Sequence, residues 1–419
     1  MKFSVFGEKL ARNSGIYELM DDLGNALSGK ANMLMLGGGN PAHIPAVEEY
    51  LRQRMKSLLR TRTGFGRIIG NYDTPQGNTA FISALASLFR KQYGWKIGPE
   101  NIALTNGSQT SFFILFNIFA GKFKDGITKR IMLPLTPEYI GYADVGLTED
   151  FFATSKPEIE LLDNHIFKYH INFESLNVTE DIGAICVSRP TNPTGNVLTD
   201  EEVRKLCALA RKHSLPLIID NAYGTPFPHI IFVEATPVWD EHVILCMSLS
   251  KLGLPSARTG IVIARPEIIQ AISAINAIIC LAPGGLGAAL ALDLVKTGKI
   301  IRMSQQLIKP YYQRKVISAV EQLHHELRGL DYRIHKPEGA LFLWLWLKDL
   351  PVTSAELYTR LKKRGVLVVP GHYFFPGLKD NWRHKYECIR ITYSQDSKVV
   401  TQGLRIIGDE VRKIYKSAK

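Results

Sequence analysis

The sequence predicts an α/β protein with a large domain built on a mostly parallel sheet and a smaller α+β domain. Between residues 100 and 265, short apolar runs alternate with helix-like segments, which is the pattern of strands joined by crossover helices. After about residue 310 the pattern changes to longer apolar runs accompanied by two helical segments. The chain has 419 residues, 46% of them hydrophobic, which is enough for two packed cores.

Six apolar runs are predicted to form the strands of the large domain. Each is nearly continuous in apolar residues, as expected for strands that are buried on both faces. One intervening helix is predicted over 199–213, because Thr199 is a favourable cap, acidic residues follow it, and Val203 and Leu206 begin a helical repeat. The predicted strands cover residues 101–104, 130–133, 184–187, 216–219, 243–247 and 260–264.

The last quarter of the chain predicts an open sheet with helices on it. Apolar runs at 340–347, 366–369 and 388–392 are the expected strands, and the expected helices cover 354–363 and 398–415. No repeat or low-complexity linker separates the two parts, so we expect them to pack together. The predicted organisation is an amino-terminal segment (1–65) packing with the small domain and with a partner subunit, a large domain (66–309) and a small domain (310–419).

Charge and cysteine content restrict the functional classes. With 51 Lys and Arg against 39 Asp and Glu, the net charge of +12 favours anionic partners, and basic clusters at 60–62 and 362–364 keep a nucleic-acid binder as an alternative. The five cysteines are scattered without C-x-x-C spacing, which favours a reducing compartment, by default the cytoplasm. We expect no membrane span, no export signal and no metal site.

Polar residues follow three of the predicted strands. Lys251 lies in Ser248-Leu-Ser-Lys251, Asp220 and Tyr223 follow the run 216–219, and Asn192 follows the run 184–187. The carboxyl ends of parallel strands meet at one edge of a sheet, where such sheets bind ligands. Taken alone, Lys251 is equally compatible with a solvated loop lysine and Asp220 with a turn residue. Their combination favours a binding site.

These motifs identify a family resemblance. The elements Asn192-Pro-Thr-Gly, Asp220-x-x-Tyr223 and Ser-x-Ser-Lys251, in this order and at these intervals, resemble the class I and II aminotransferases of the pyridoxal phosphate (PLP) fold type I group. The resemblance extends from about Gly37 to Tyr393. It implies a PLP-dependent transferase whose large domain binds the cofactor, whose small domain clamps the substrate, and which forms a homodimer with shared active sites.

The resemblance assigns roles to the residues at the strand ends. Lys251 resembles the lysine that condenses with the cofactor aldehyde and later carries protons to and from the substrate. Asp220 resembles the carboxylate that keeps the pyridine nitrogen protonated. Tyr223 and Asn192 resemble the pair that hydrogen-bonds the phenolic oxygen of the cofactor. Lys251, Asp220 and Tyr223 are therefore the candidate catalytic residues.

Further cofactor-binding residues follow from the same resemblance. Ser108 and Gln109 lie where a strand runs through a glycine into a helix, which suits a phosphate. Ser248 and Arg258 resemble side chains that complete the phosphate site. Tyr139 resembles the aromatic residue that stacks on the ring, although a core tyrosine is an alternative interpretation.

Four less specific matches concern the partner subunit and the substrate. Tyr72 resembles a tyrosine that reaches the phosphate bound by the neighbouring subunit, although Tyr-Asp-Thr-Pro is also ordinary turn chemistry. Arg390 resembles the arginine that binds the substrate α-carboxylate, and an arginine on an exposed strand face is the alternative. Gly39 and Ile16 are expected near the substrate.

The expected substrates are small aliphatic amino acids and 2-oxo acids. A site for aspartate needs a second cation for the distal carboxylate, and no arginine occurs between Arg265 and Arg302. Valine, alanine and 2-aminobutyrate are the expected donors, and pyruvate and 2-oxoisovalerate the expected acceptors. An aminotransferase of different specificity, a β-lyase or a decarboxylase on the same fold remains an alternative. An aminotransferase-like nucleic-acid-binding regulator is a more distant one.

Overall fold

The helices and strands of the chain alternate as the apolar pattern predicts. The structure, a computed structural model, describes residues 2–12, 14–27 and 33–417. Its helices are α1 (Val5–Leu10), α2 (Gly15–Leu27), α3 (Pro45–Leu59), α4 (Arg62–Ile69), α5 (Thr79–Tyr93), α6 (Ser108–Phe119), α7 (Asp200–Lys212), α8 (Pro266–Cys280), α9 (Leu286–Lys296), α10 (Lys299–Met303), α11 (Lys309–Glu326), α12 (Ser354–Lys363) and α13 (Ser397–Ser417). Its strands are β1 (Leu34–Met35), β2 (Ile102–Thr105), β3 (Gly121–Lys122), β4 (Thr128–Leu133), β5 (Phe152–Thr154), β6 (Glu158–Leu161), β7 (Ile166–His170), β8 (Ile182–Ser188), β9 (Leu217–Asp220), β10 (Val243–Ser248), β11 (Gly260–Ile263), β12 (Tyr332–His335), β13 (Phe342–Leu347), β14 (Val366–Leu367), β15 (Val369–Pro370) and β16 (Cys388–Thr392).

The larger sheet has the strand order β2-β11-β10-β9-β8-β4-β3, with β5 paired to β4. Strands β10, β9, β8, β4 and β5 run parallel to one another, whereas the short edge strand β3 pairs antiparallel with β4. Every residue of β8, β9 and β10 is buried, which explains why these runs are continuously apolar. The predicted α7 begins after its expected cap: Thr199 Oγ accepts a hydrogen bond from Glu202 N, and the Glu202 carboxylate accepts one from Thr199 N. The mostly parallel α/β architecture is confirmed.

One strand of the larger sheet runs against the predicted direction. The run 260–264, predicted as part of a parallel sheet, forms β11, which pairs antiparallel with both β10 and β2. The reason is the connection, because the segment from Ser248 to Gly260 holds only one 3-10 turn (Ser250–Leu252) and no crossover helix. A short connection of this kind returns the chain beside the strand it has just left.

The smaller sheet has the strand order β15-β16-β13-β12-β7-β6. The predicted runs 340–347, 366–369 and 388–392 contribute β13, β15 and β16 to it, while β14 pairs with β1. The prediction was incomplete at the other edge, where β7 pairs parallel with β12 and β6 antiparallel with β7. Residues 158–170 therefore belong to this sheet although they lie within the predicted large domain. The local sequence of β7 does not show which sheet the strand joins, because an edge strand of either sheet would offer it the same backbone hydrogen bonds.

The amino-terminal segment and one long helical segment connect the two sheets. β1 pairs parallel with β14, and Thr392 N donates to Leu36 O. Helices α10 and α11 are joined by a π-helical turn at Ser304–Ile308, so the helical segment continues through the predicted boundary at 309/310. Among the described helices, none is both long enough and apolar enough to cross a membrane.

Candidate active site

The carboxyl ends of β8, β9 and β10 bring the predicted polar residues to one edge of the larger sheet. The register pairs Ser188 of β8 with Asp220 of β9, and Asp220 with Cys246 of β10. Lys251 follows β10 in the 3-10 turn, and Asn192 follows β8 in the loop that ends the strand. The side chains that the motifs single out are thus neighbours because their strands are neighbours.

The amino group of Lys251 lies in the centre of this edge. Its Nζ donates a hydrogen bond to Gly39 O at 2.6 Å and lies 5.3 Å from the centre of the Tyr223 ring. Burial lowers the pKa of Lys251 to about 8, and the positive charges of Arg390 and Arg258 act in the same direction. A Cβ at Gly39 would lie 3.8 Å from Nζ, in van der Waals contact with the amine.

The carboxylate of Asp220 is held by two donors. Tyr142 donates its hydroxyl hydrogen to Oδ2 at 2.7 Å, and Ala222 N donates to Oδ1 at 3.0 Å. Burial raises the pKa of Asp220 to about 6, although both hydrogen bonds and the charge of Lys251 oppose the shift. The contact of Tyr142 with Asp220 could not be predicted from the sequence. Its only signal was its place three residues after Tyr139, and no spacing rule relates it to Asp220.

The smaller sheet contributes a buried arginine to the same site. Arg390 of β16 is 1% exposed, so the interpretation as an exposed-face arginine is wrong. Its Nη1 donates to Asn192 Oδ1 and its Nη2 to Gly37 O, both at 2.6 Å, whereas its buried Nε has no partner among the described residues. The guanidinium carbon lies 4.1 Å from the ring centre of Phe342 and 5.1 Å from that of Phe374. Sequence reasoning did not identify either phenylalanine.

A second positively charged group lies at the start of α6. Gly107 precedes this helix with φ of 88°, and a Cβ there would overlap the guanidinium of Arg258. Arg258 Nη1 donates to Pro255 O at 3.1 Å and lies 3.5 Å from Ser250 Oγ. The helix begins at Ser108, so its free amino-terminal N–H groups and a guanidinium face the same place, as an anion site requires.

The other predicted residues differ in how closely they join this cluster. Ser248 is buried and accepts a hydrogen bond from Ser250 N. Gln109 donates to Gly141 O at 2.8 Å, and its buried Oε1 has no partner among the described residues. The Tyr139 ring meets Tyr142 edge to face at 5.4 Å.

Tyr72 and Ile16 are not joined to the cluster by any hydrogen bond or ring contact within the described part of the chain. Tyr72 is 81% exposed and lines a surface groove of about 620 Å³ together with Gly284. Ile16 is half-buried on α2 and packs against the main core. The beginning of α2 meets the turn at 371–374, where Tyr373 donates to the Glu18 carboxylate at 2.8 Å.

Comparison with known proteins identifies the family. A family model described as aminotransferase class I and II matches residues 31–407. The chain belongs to this family. It is 51% identical to the valine--pyruvate aminotransferase of Escherichia coli (strain K12), over 99% of both chains. In structure it resembles a putative amino-acid aminotransferase from Psychrobacter arcticum 273-4, with a TM-score of 0.96, 48% identity and 99% of both chains covered. It also resembles the valine-pyruvate aminotransferase of Salmonella typhimurium LT2, with a TM-score of 0.88 and 51% identity over 96% of this chain and 99% of that one.

Membership makes this aminotransferase a fold type I, PLP-dependent enzyme, and the residues present fit that cofactor. PLP carries a phosphate, a basic ring nitrogen and an aldehyde. The cluster offers a guanidinium at a helix amino terminus, a buried carboxylate in Asp220 and an amine of lowered pKa in Lys251. Two buried polar atoms of these residues, Arg390 Nε and Gln109 Oε1, have no hydrogen-bond partner within the described part of the chain, and such atoms are usually satisfied by a ligand or water.

The lowered pKa of Lys251 in this aminotransferase can be tested directly. In the cofactor-free full chain, the reactivity of Lys251 toward acetic anhydride should rise with a midpoint near pH 8, because only the deprotonated amine reacts. Competitive labelling read by mass spectrometry measures this, with the exposed Lys363 as internal reference. Arg258→Gln removes one positive charge and should move the midpoint upward. A midpoint at the ordinary value of about 10.4 would contradict the described environment.

Proposed function

We propose that this aminotransferase moves an amino group between small aliphatic amino acids and 2-oxo acids, with valine and pyruvate as the principal pair. The observation that carries the proposal is the buried guanidinium of Arg390, whose charge acts on the amine of Lys251. A guanidinium can bind one carboxylate at two points, which suits the α-carboxylate of a substrate. The proposal is supported by 51% identity to an enzyme named for valine and pyruvate. Among the alternatives, a β-lyase would release ammonia and leave pyruvate unaminated.

Lys251 and Asp220 are proposed as the catalytic residues. PLP supplies an aldehyde that condenses with amines and a ring that accepts electrons from the substrate. Lys251 Nζ would hold the cofactor through its aldehyde and would take the proton from the substrate α-carbon, for which an amine with a pKa near 8 is suitable at neutral pH. Asp220 holds a proton on the ring nitrogen. Tyr223 and Asn192 are proposed to donate hydrogen bonds to the phenolic oxygen.

The phosphate and substrate groups are assigned to the two ends of the cluster. We propose that the phosphate is bound by the amino terminus of α6 at Ser108 and Gln109, with Ser248 and Arg258, and that Tyr139 stacks on the ring. Arg390 binds the substrate α-carboxylate, with Gly39 and Ile16 near the side chain. In this division residues 66–309, without the strands of 158–170, would hold the cofactor, and residues 310–419 would close on the substrate.

The substrate side chain is proposed to lie in an environment without a second cation. The stretch between Arg265 and Arg302 holds no arginine and includes Ile278, Ile279 and Leu281, which are exposed in the single chain. In a shared site this stretch would come from a second copy. A distal carboxylate buried against these residues would remain unpaired, which is costly.

We therefore expect kcat/KM to favour valine over aspartate by more than about a hundredfold, because an unpaired buried carboxylate costs several kcal/mol. 2-Aminobutyrate, which is one methylene smaller than valine, should differ from it by only about ten- to two-hundredfold, since one methylene contributes about 1 to 3 kcal/mol. Alanine, which is two carbons smaller, should differ from valine by more than 2-aminobutyrate does. With pyruvate as acceptor, the measurement is the rate of alanine formation from each of the other donors. When alanine is the donor, 2-oxoisovalerate is the acceptor and the rate of valine formation is measured. A clear preference for aspartate would overturn the substrate proposal and leave the cofactor proposal standing.

We also propose that the enzyme is a homodimer whose active sites are shared, located in the cytoplasm. Large apolar side chains are exposed on two stretches, 59–72 and 278–286, which is unusual for a free surface. Ile69 and Tyr72 of the first stretch and residues 282–285 of the second line one surface groove. Gly284 N donates to Asn106 Oδ1, so the groove adjoins the start of α6. The five free cysteines suit a reducing compartment. The exposed apolar residues are Leu59, Phe65, Ile69, Tyr72, Ile278, Ile279, Leu281 and Leu286.

Shared sites predict complementation between inactive chains. A hybrid of Lys251→Ala and Tyr72→Ala chains has one site with both native residues, so co-expression should restore part of the wild-type activity that neither variant shows alone. Light scattering should show a dimer in each case. The matched control places both changes in one chain and expresses it alone, which should restore nothing. An active monomer, or no recovery in a demonstrated hybrid, would contradict the shared site.

A further inference from the structure

A second buried carboxyl group lies behind Asp220 and is not used by the proposed roles. Glu138 is 0% exposed and precedes Tyr139 in the segment that follows β4. Both of its oxygens face Ser188, the last residue of β8. Oε1 accepts a hydrogen bond from Ser188 N at 2.8 Å, and Oε2 lies 2.5 Å from Ser188 Oγ.

The pair Glu138 and Ser188 is connected to Asp220 through Tyr142. Ser188 Oγ lies 3.4 Å from the hydroxyl oxygen of Tyr142, which in turn donates to Asp220 Oδ2 at 2.7 Å. Four side chains therefore form one line of oxygen atoms that ends on the carboxylate assigned to the ring nitrogen. The line is made by the register, which places Ser188 opposite Asp220.

The charges around Glu138 favour its neutral form. No Lys, Arg or His forms an ion pair with it among the described residues. The titratable groups that face it are Asp220, Tyr142 and Cys186, none of which is a cation. Burial raises the pKa of Glu138 to about 8, against about 6 for Asp220, and the charge of Asp220 adds to that rise. Of the two carboxyl groups, Asp220 ionises first because it has a hydroxyl donor in Tyr142 and faces Lys251.

We propose that Glu138 is a positioning residue that stays protonated and orients the hydrogen bonds from Ser188 and Tyr142 toward an ionised Asp220. The inference rests on the proposed role of Asp220. With Glu138 neutral, its hydroxyl donates to Ser188 Oγ, Ser188 donates to Tyr142, and Tyr142 donates to Asp220, while the Glu138 carbonyl oxygen accepts from Ser188 N. Every hydrogen then has an acceptor, and a single negative charge resides at the end nearest the ring nitrogen.

Conservative substitution distinguishes a neutral Glu138 from an ionised one. Glu138→Gln presents an NH₂ donor to Ser188 Oγ and a carbonyl oxygen to Ser188 N, as the protonated acid does. Glu138→Ala removes both contacts, and Tyr142→Phe cuts the line at Asp220. We expect Glu138→Gln to keep kcat/KM for valine near the wild-type value, and the other two variants to lose about ten- to a hundredfold, because each leaves a buried polar group unpaired.

The pH dependence of stability gives a readout that does not depend on turnover. A carboxyl group whose pKa is raised by folding stabilises the folded protein fully below its unfolded pKa of 4.5, and this stabilisation is lost as pH rises through the folded pKa of about 8. The full chain carrying PLP should therefore lose stability toward urea between about pH 5 and pH 8 more steeply than Glu138→Gln does. Glu174→Gln, on an exposed residue, controls for the loss of one carboxyl group and should follow the wild type.

The outcomes separate a failure of this inference from a failure of the proposed role of Asp220. Rescue by Glu138→Gln together with its flatter stability profile supports the inference. A Glu138→Gln variant as defective as Glu138→Ala, or a stability profile identical to that of the wild type, overturns it. Asp220→Ala is measured in parallel: if that variant keeps normal activity, the proposed role of Asp220 has failed, whereas loss of activity there with normal Glu138 variants means that only this inference has failed.

Discussion

The guanidinium of Arg390 is the group on which the arrangement of the site depends. It connects the smaller sheet, through β16, to the loop of Asn192 that ends β8 and to the amino-terminal segment at Gly37. A buried charge is costly unless it is hydrogen-bonded. The charge of Arg390 is stabilised by two acceptors, Asn192 Oδ1 and Gly37 O, and by the ring faces of Phe342 and Phe374. No carboxylate of the described chain pairs with it, so its charge remains for an anion. Burial lowers the pKa of Arg390 to about 10, which leaves it charged at neutral pH.

The same charge reaches the other groups of the site. Burial lowers the pKa of Lys251 most, the charges of Arg390 and Arg258 lower it further, and the charge of Asp220 opposes them more weakly. Asn192 cannot be moved independently, because its loop is fixed by neighbouring contacts: Lys168 donates to Asn196 Oδ1 at 2.9 Å and forms a buried ion pair with Glu338. Gly195 leaves no room for a side chain, since a Cβ there would lie 2.6 Å from Gly339 O. The loop and the smaller sheet therefore hold Asn192 and Arg390 in one fixed relation.

Elements whose signal is local could be predicted from the sequence, and contacts between distant segments could not. The burial of β8, β9 and β10 and the cap of α7 are properties of short stretches, and their positions were predicted correctly. The pairing of β7 with β12 joins residues far apart in the chain, and no pattern within 158–170 points to the smaller sheet. Tyr142, Phe342 and Glu138 were not predicted for the same reason, because each contacts its partner only after the sheets have formed. Tyr142 and Phe342 are ordinary core residues by type, and nothing in the local sequence shows that Glu138 is buried. Lys251, Asp220 and Asn192 were found because their motifs follow strands that are themselves easily recognised.

The central claim is that the fork of Arg390 both orders the site and binds the substrate carboxylate. Arg390→Lys keeps the positive charge but loses the two-point geometry, and Arg405→Lys, on an exposed residue of α13, is the matched control. The decisive measurement is kcat/KM for valine beside the dissociation constant of PLP in each variant. We expect Arg390→Lys to lose about ten- to a hundredfold in kcat/KM, because a lysine cannot bind a carboxylate at two points. Its affinity for PLP should fall by a smaller factor, because the contacts with Asn192 Oδ1 and Gly37 O are weakened while the positive charge remains. An unchanged kcat/KM, or a loss that appears only in PLP affinity, would contradict the central claim.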